Sequence, residues 1–192
     1  AGIPNPVVAL ENGTMGWHLA GYGLDHGQVR RAPNVTINGL ERSRKMADTV
    51  AKRFGVEKVS SADLERFRTQ TSEITLFVLD VRSPEEYIAG HLPVSRSAPG
   101  GQLVQATDEY VGVRHARLIL VDDTGVRATM TASWLIQMGW DNVYVLDGGL
   151  TQSGLEVGPE QREVLGLGEL DVQLVEASVL NELITEIGRA HV

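Results

Sequence analysis

Arg117-Leu118-Ile119-Leu120-Val121-Asp122-Asp123-Thr124-Gly125-Val126-Arg127 is the stretch that decides the fold. A short aliphatic run, then two acids, Thr and Gly, then a long helical pattern describe a strand, a tight turn and a helix. Such a turn aims backbone N–H groups outward, and with the positive end of the helix they make a cradle for an anion. Gly125 lets the chain turn with positive φ. Arg127 at the helix start is expected to add a bidentate donor, and the first residue of the cradle is itself an acid, Asp122.

Working outward, residues 74–81 form a strand with little polar interruption, as expected for a parallel strand buried on both faces. Ser83-Pro84-Glu85-Glu86 is a helix start, with Ser as N-cap, Pro at the first helical position and acids that complement the helix dipole. Residues 102–110 predict a weaker helix and residues 143–146 a short strand. From 127 to 138, Ala128, Met130, Ala132, Trp134, Leu135, Ile136 and Met138 cover almost the whole circumference, so that helix is expected to be central and buried. Residues 40–54 carry Met46, Val50 and Phe54 beside Ala47 and Ala51, an amphipathic connector helix ended by Gly55 and expected to pack on the strands and helices C-terminal to it. Ser60 or Ser61 caps the next helix. Strands alternating with helices imply an α/β fold with a parallel sheet covered on both faces, and active loops at the carboxyl ends of the strands.

The loop is similar to the active-site loop of the rhodanese (sulfurtransferase) family, which reads strand, Cys-x-x-Gly-x-Arg, helix. Asp122 stands where that family places its persulfide-forming Cys. Leu79-Asp80-Val81-Arg82-Ser83-Pro84-Glu85-Glu86-Tyr87 and Gly90-His91-Leu92-Pro93 resemble a second family signature. Met138-Gly139-Trp140 and Val143-Tyr144-Val145-Leu146-Asp147-Gly148-Gly149 resemble its closing strand and Gly-Gly turn. The three motifs are ordered and spaced as in the family over about residues 59 to 150. The resemblance implies a rhodanese-like three-layer fold, with a central parallel sheet and helices on both faces. It also implies structural roles for Asp80, Arg82, Glu86 and His91, with Asp80 and Arg82 in ion pairs. Those two are expected on opposite faces of a strand, and His91 in a turn bonding backbone.

Composition is that of an ordinary soluble globular chain, 42% hydrophobic and 22% charged. There is no Cys, which excludes internal disulfides, thiolate metal sites and any thiol nucleophile. A net charge of −8 argues against a nucleic-acid partner. No apolar run has the length of a membrane span and no basic-then-apolar leader opens the chain, so the default is a cytoplasmic protein without membrane association. Residues 156–187 hold eight acids against the single base Arg162, read as a solvated face.

Two internal echoes organise the rest. Gly2-Ile-Pro-Asn5-Pro-Val7-Val8-Ala9-Leu10-Glu11-Asn12-Gly13 reads like Gly139-Trp-Asp-Asn142-Val143-Tyr144-Val145-Leu146-Asp147-Gly148-Gly149, with one extra residue at Pro6. Val175-Glu-Ala-Ser178-Val-Leu180-Asn181-Glu-Leu183 reads like Val59-Ser-Ser-Ala62-Asp-Leu64-Glu65-Arg-Phe67. Residues 1–30 are therefore expected to close a preceding module. Residues 31–155 form a complete one, including the connector 40–54, and residues 156–192 form an acidic linker and the opening of a following module. This order is what cutting a tandem array between its motif cores would give. The expected partners are sister modules of the same polypeptide, with a homo-oligomer as an open alternative.

A carboxylate accepts the hydrogen bonds a thiolate would, and it cannot carry a persulfide. The expected function is thus a non-catalytic, structural or regulatory rhodanese-like domain of a sulfurtransferase of the thiosulfate or 3-mercaptopyruvate type. In it the loop Asp122, Asp123, Thr124, Gly125, Val126 and Arg127 holds Asp122 as a resident anion, with no cofactor and no metal. One alternative is a small-anion binder using Arg127 and the loop amides. Another is Asp-dependent phosphoryl transfer with Asp123 helping to hold Mg²⁺, against which Thr stands at 124, where a second acid is wanted. His18, His26, His115 and His191 show no ligand spacing. Gly21-x-Gly23-x-x-x-Gly27 reads as loop, and Trp17, Trp134 and Trp140 as core or repeat-closing residues.

Overall fold

The computed structural model describes residues 5–27, 33–151, 154–161 and 175–187. The expected module boundary between 30 and 31, the acidic stretch from 162 to 174 and His191 lie outside them. The chain divides into two compact units, Ala1–Glu41 and Arg42–Val192.

In the first unit, helix α1 (Gly13–Leu19) starts on a left-handed residue, Gly13, preceded by left-handed Asn12. None of its residues is buried. Trp17 packs on Tyr22 at a ring separation of 4.6 Å and donates from Nε1 to the Gly23 carbonyl at 2.9 Å. It stays 43% exposed, so the expected core role for this tryptophan does not hold within the unit.

The second unit is built on a five-stranded sheet of β1 (Glu57–Val59), β2 (Leu76–Asp80), β3 (Arg96–Ser97), β4 (Arg117–Val121) and β5 (Val143–Leu146). Its order is β1-β5-β4-β2-β3 and every pair is parallel, as expected. The aliphatic run of the central strand β4 is fully buried because successive side chains go to opposite faces. Leu118 and Leu120 join Leu79, Val143 and Val145 under α5 (Gly100–Gln105) and α7 (Val126–Gln137). Ile119 and Val121 join Val78 and Leu146 under Leu64 and Phe67 of α3 (Ser61–Thr69). Burying each such side chain contributes about 1.5–3 kcal/mol, and β4 does so four times in a row. The loop therefore begins from a strand that is buried on both faces up to its carboxyl end, Val121.

Local chemistry sets the helix ends. Ser60, rather than Ser61, caps α3 through a reciprocal box with Asp63. Ser83 caps α4 (Pro84–Ala89) through the same device with Glu86. α2 (Ile37–Phe54) begins three residues before the expected start at 40 and ends at Gly55, φ +69°, where the Val56 N–H returns to the Ala51 carbonyl. Its buried residue is Ala47, and Met46 points to solvent. The expected helix at 102–110 is two, α5 and α6 (Thr107–Tyr110), broken at Ala106.

α7 departs most from expectation. It presents Ala128, Thr129, Thr131, Ala132, Ser133 and Leu135 to the protein, while Met130, Trp134 and Met138, spaced four apart, form an exposed row. Only Trp140 of the three tryptophans is buried. Val94 is a β-branched residue at φ +63°, a conformation that costs about 1–2 kcal/mol. The terminal helix α8 (Ala177–Ile187) leaves Leu180 and Leu183 partly exposed, although their echoes Leu64 and Phe67 are buried. Among the described residues no helix is long and apolar enough to cross a membrane.

Candidate functional site

The loop leaves β4 at Val121 and turns through Gly125, φ +78°, into α7. Asp122 is 1% exposed and its carboxylate is folded into the turn. Oδ1 accepts from the Gly125 N–H at 2.6 Å, and Oδ2 accepts from the Arg127 N–H at 2.9 Å and the Thr124 hydroxyl at 3.2 Å. These amides are the cradle expected from the sequence, and its occupant is the protein's own side chain. Both carboxylate oxygens of this buried residue are thus engaged as acceptors within the loop itself. Among the described residues no three His, Cys, Asp or Glu side chains are grouped to hold a metal ion.

The Arg127 guanidinium does not enter the cradle, contrary to its expected role as an added anion donor. It forms a fork on Glu86, Nη1 to Oε2 at 2.7 Å and Nη2 to Oε1 at 2.9 Å, and reaches Asp123 Oδ1 at 2.9 Å. Glu86 also accepts from the Ser83 N–H at 2.8 Å, so one carboxylate both caps α4 and latches the loop. The hydrogen bond from Arg127 outweighs partial burial, and with help from the Ser83 N–H it lowers the Glu86 carboxyl to about 2. The same pair raises Arg127.

Glu86 is therefore ionised in the folded state well below the pH at which a free carboxyl takes a proton. The latch contributes fully above the ordinary value of 4.5 and is lost as pH falls through about 2. Comparing unfolding of the wild type with Glu86→Gln should give a constant difference above that upper value and a shrinking one below it. A difference that grew on acidification would contradict the assignment.

Asp80 and Arg82 do not lie on opposite faces. β2 ends at Asp80, residues two apart in extended chain share a side, and Arg82 turns back onto its neighbour. Nε lies 2.9 and 3.1 Å from the two carboxylate oxygens and Nη2 lies 2.7 Å from Oδ2, with a further bond from Nη2 to the Gly90 carbonyl. His91 sits in the turn as expected. It stacks on Tyr87 at 3.8 Å, and its Nδ1 faces the Tyr87 carbonyl at 2.9 Å, which requires the proton on Nδ1.

Two contacts on the loop carry no local sequence signal. Arg44 of α2 donates from Nε to the Thr124 carbonyl at 3.2 Å. The Gly-Gly turn after β5 backs onto Asp122, since a Cβ on Gly149 would lie 2.0 Å from the Asp122 carbonyl oxygen. Beside them, Arg44, Asp48, Lys58 and Asp147 line a pocket of about 330 Å³ next to the loop.

The rhodanese-like domain family profile matches residues 61–153. A thiosulfate sulfurtransferase GlpE from Pseudoalteromonas translucida is 31% identical over 74 residues, 38% of this chain and 69% of that protein. Another from Pseudomonas paraeruginosa is 32% identical over 74 residues, 38% of this chain and 64% of that protein. The crystal structure of a thiosulfate sulfurtransferase from Pseudomonas aeruginosa superposes with a TM-score of 0.74 and 47% identity, over 96% of this chain and 34% of that one. The chain thus spans about a third of that structure's length.

Proposed function

Since this chain belongs to the rhodanese-like family of sulfurtransferase domains, we propose that it is a non-catalytic member, a structural or regulatory module of a longer thiosulfate-type sulfurtransferase. The observation that carries this is the Asp122 carboxylate bound by the loop amides. Sulfur transfer needs a thiolate to attack the sulfane sulfur of thiosulfate, with sulfite leaving, and then release of that sulfur to an acceptor. The chain has no Cys to do so. An anion-binding role for Arg127 and the loop amides loses its donors to Asp122, Glu86 and Asp123.

Membership of a tandem array is supported by the two sequence echoes and by the solved relative about three times as long. Exposure agrees. Val8 and Leu10 are 90% and 58% exposed where their echoes Tyr144 and Leu146 pack in the sheet, and Leu180 is 48% exposed against 2% for Leu64. In this reading the sister modules are the partners and the terminal segments belong to them.

The test is thiocyanate formation from thiosulfate and cyanide. The wild-type chain is expected to give none above the blank. Asp122→Cys is expected to take up one sulfur atom by intact mass and to release it to cyanide. Turnover by the wild type would overturn the proposal.

A further inference from the structure

β3 accompanies β2 for only two positions, Leu79 with Arg96 and Asp80 with Ser97. Before Arg96 the chain turns away through Val94 at φ +63°. On that side the first half of β2, residues 76–78, has no paired strand among the described residues. Backbone groups of successive strand residues point to alternate sides. The Thr75 carbonyl accepts from Arg117 on the β4 side, and the Asp80 carbonyl accepts from Ala98 on the β3 side. Leu76 and Val78 are in phase with Asp80, so the N–H and C=O of Leu76 and the N–H of Val78 face the open side.

That side is a groove of about 1010 Å³. Its far wall is the segment 155–161, tied down by paired backbone bonds between Glu156 and His91 and by the Gly158 N–H on the Ile88 carbonyl. Val94 and Val157, 83% and 77% exposed, give the rim apolar surface, and Arg96 in the lining is already paired with Glu160 at 3.1 Å. The exposed Glu156 carboxylate supplies charge, with His91 Nε2 3.8 Å away. An unpaired strand edge, β-branched rim residues and an acid at one end match one kind of occupant.

We propose that this groove docks an extended peptide segment, which adds beside β2, sets β-branched side chains against Val94 and Val157, and places a Lys or Arg on Glu156. Val94 then has a reason to keep a strained conformation in full solvent: it is a contact residue.

The probe is a fluorescein-labelled, end-blocked Val-Lys-Val-Thr-Val peptide, read by anisotropy. Saturable binding is expected. It should be lost when alternate backbone nitrogens are methylated and weakened at least about tenfold by Glu156→Lys, with Val-Glu-Val-Thr-Val recovering affinity for that variant. Val94→Gly separates docking from folding, because it should raise the Tm by removing strain and still weaken the peptide severalfold. Absence of saturation up to about 1 mM, or binding indifferent to methylation and charge reversal, would overturn the proposal. So would self-association that Val94→Gly abolishes, which would assign the groove to a second copy.

Discussion

Arg82→Met is expected to lower the unfolding free energy by about 3–5 kcal/mol, the cost of breaking a buried ion pair by removing one partner. Asp80 is 1% and Arg82 8% exposed, and the guanidinium holds both carboxylate oxygens. Without it, Asp80 keeps one hydrogen bond, from the backbone N–H of residue 82 at 3.1 Å, and its charge stays out of water. The substitution also frees the Gly90 carbonyl and so loosens the turn that carries His91. Taken against a total stability of about 5–15 kcal/mol for a domain, such a loss leaves little margin. Urea unfolding followed by circular dichroism checks it. The double variant Asp80→Leu/Arg82→Met should recover most of the loss, since a buried pair exchanged for apolar groups is close to neutral. A loss under about 1 kcal/mol for the single variant would show that water reaches the pair.

The N-cap serines, the strand–turn–helix unit and the acid in the cradle are legible in the sequence because each is written within a few consecutive residues, whereas the reciprocal bonds from Asp63 and Glu86 that complete the two caps are not read there. Ser60 and Ser83 stand directly before their helices and need no knowledge of the rest of the chain. α7 is misread when its hydrophobic residues are counted without regard to their row. Met130, Trp134 and Met138 share one exposed side, and the buried side carries five small residues and a single large one, Leu135. Placing Asp80 and Arg82 on opposite faces is an error of one step in strand phase. The latch from Arg127 to Glu86 joins residues 41 apart and the brace from Arg44 to Thr124 joins residues 80 apart, pairings that only packed elements create. For the same reason Arg127, read from its own helix start, looks like a donor to the cradle, when the deciding charges lie on α4 and on Asp123.

Gly149→Ala is expected to be costly both to stability and to the loop itself, at about 2–4 kcal/mol from overpacking and left-handed strain together. Gly149 has φ +50°, and an added Cβ would meet the Asp122 carbonyl oxygen at 2.0 Å and its carbon at 3.2 Å. That wall is backbone and has no rotamer to escape into. Either the Gly-Gly turn leaves β5 or the start of the loop shifts, and a shift there moves the carboxylate relative to the Gly125 and Arg127 N–H groups. Gly148→Ala is the matched control. It also has positive φ, yet its Cβ would meet only the Thr151 hydroxyl, at 3.2 Å, which can rotate away, so a loss of about 1 kcal/mol is expected. Amide hydrogen exchange at Gly125 and Arg127 distinguishes the two, with faster exchange in Gly149→Ala alone. Equal losses and unchanged exchange in both variants would mean that the turn yields by itself. Faster exchange confined to Gly149→Ala would mean that Asp122 is held in the cradle by the Gly-Gly turn behind it as much as by the amides that bind it.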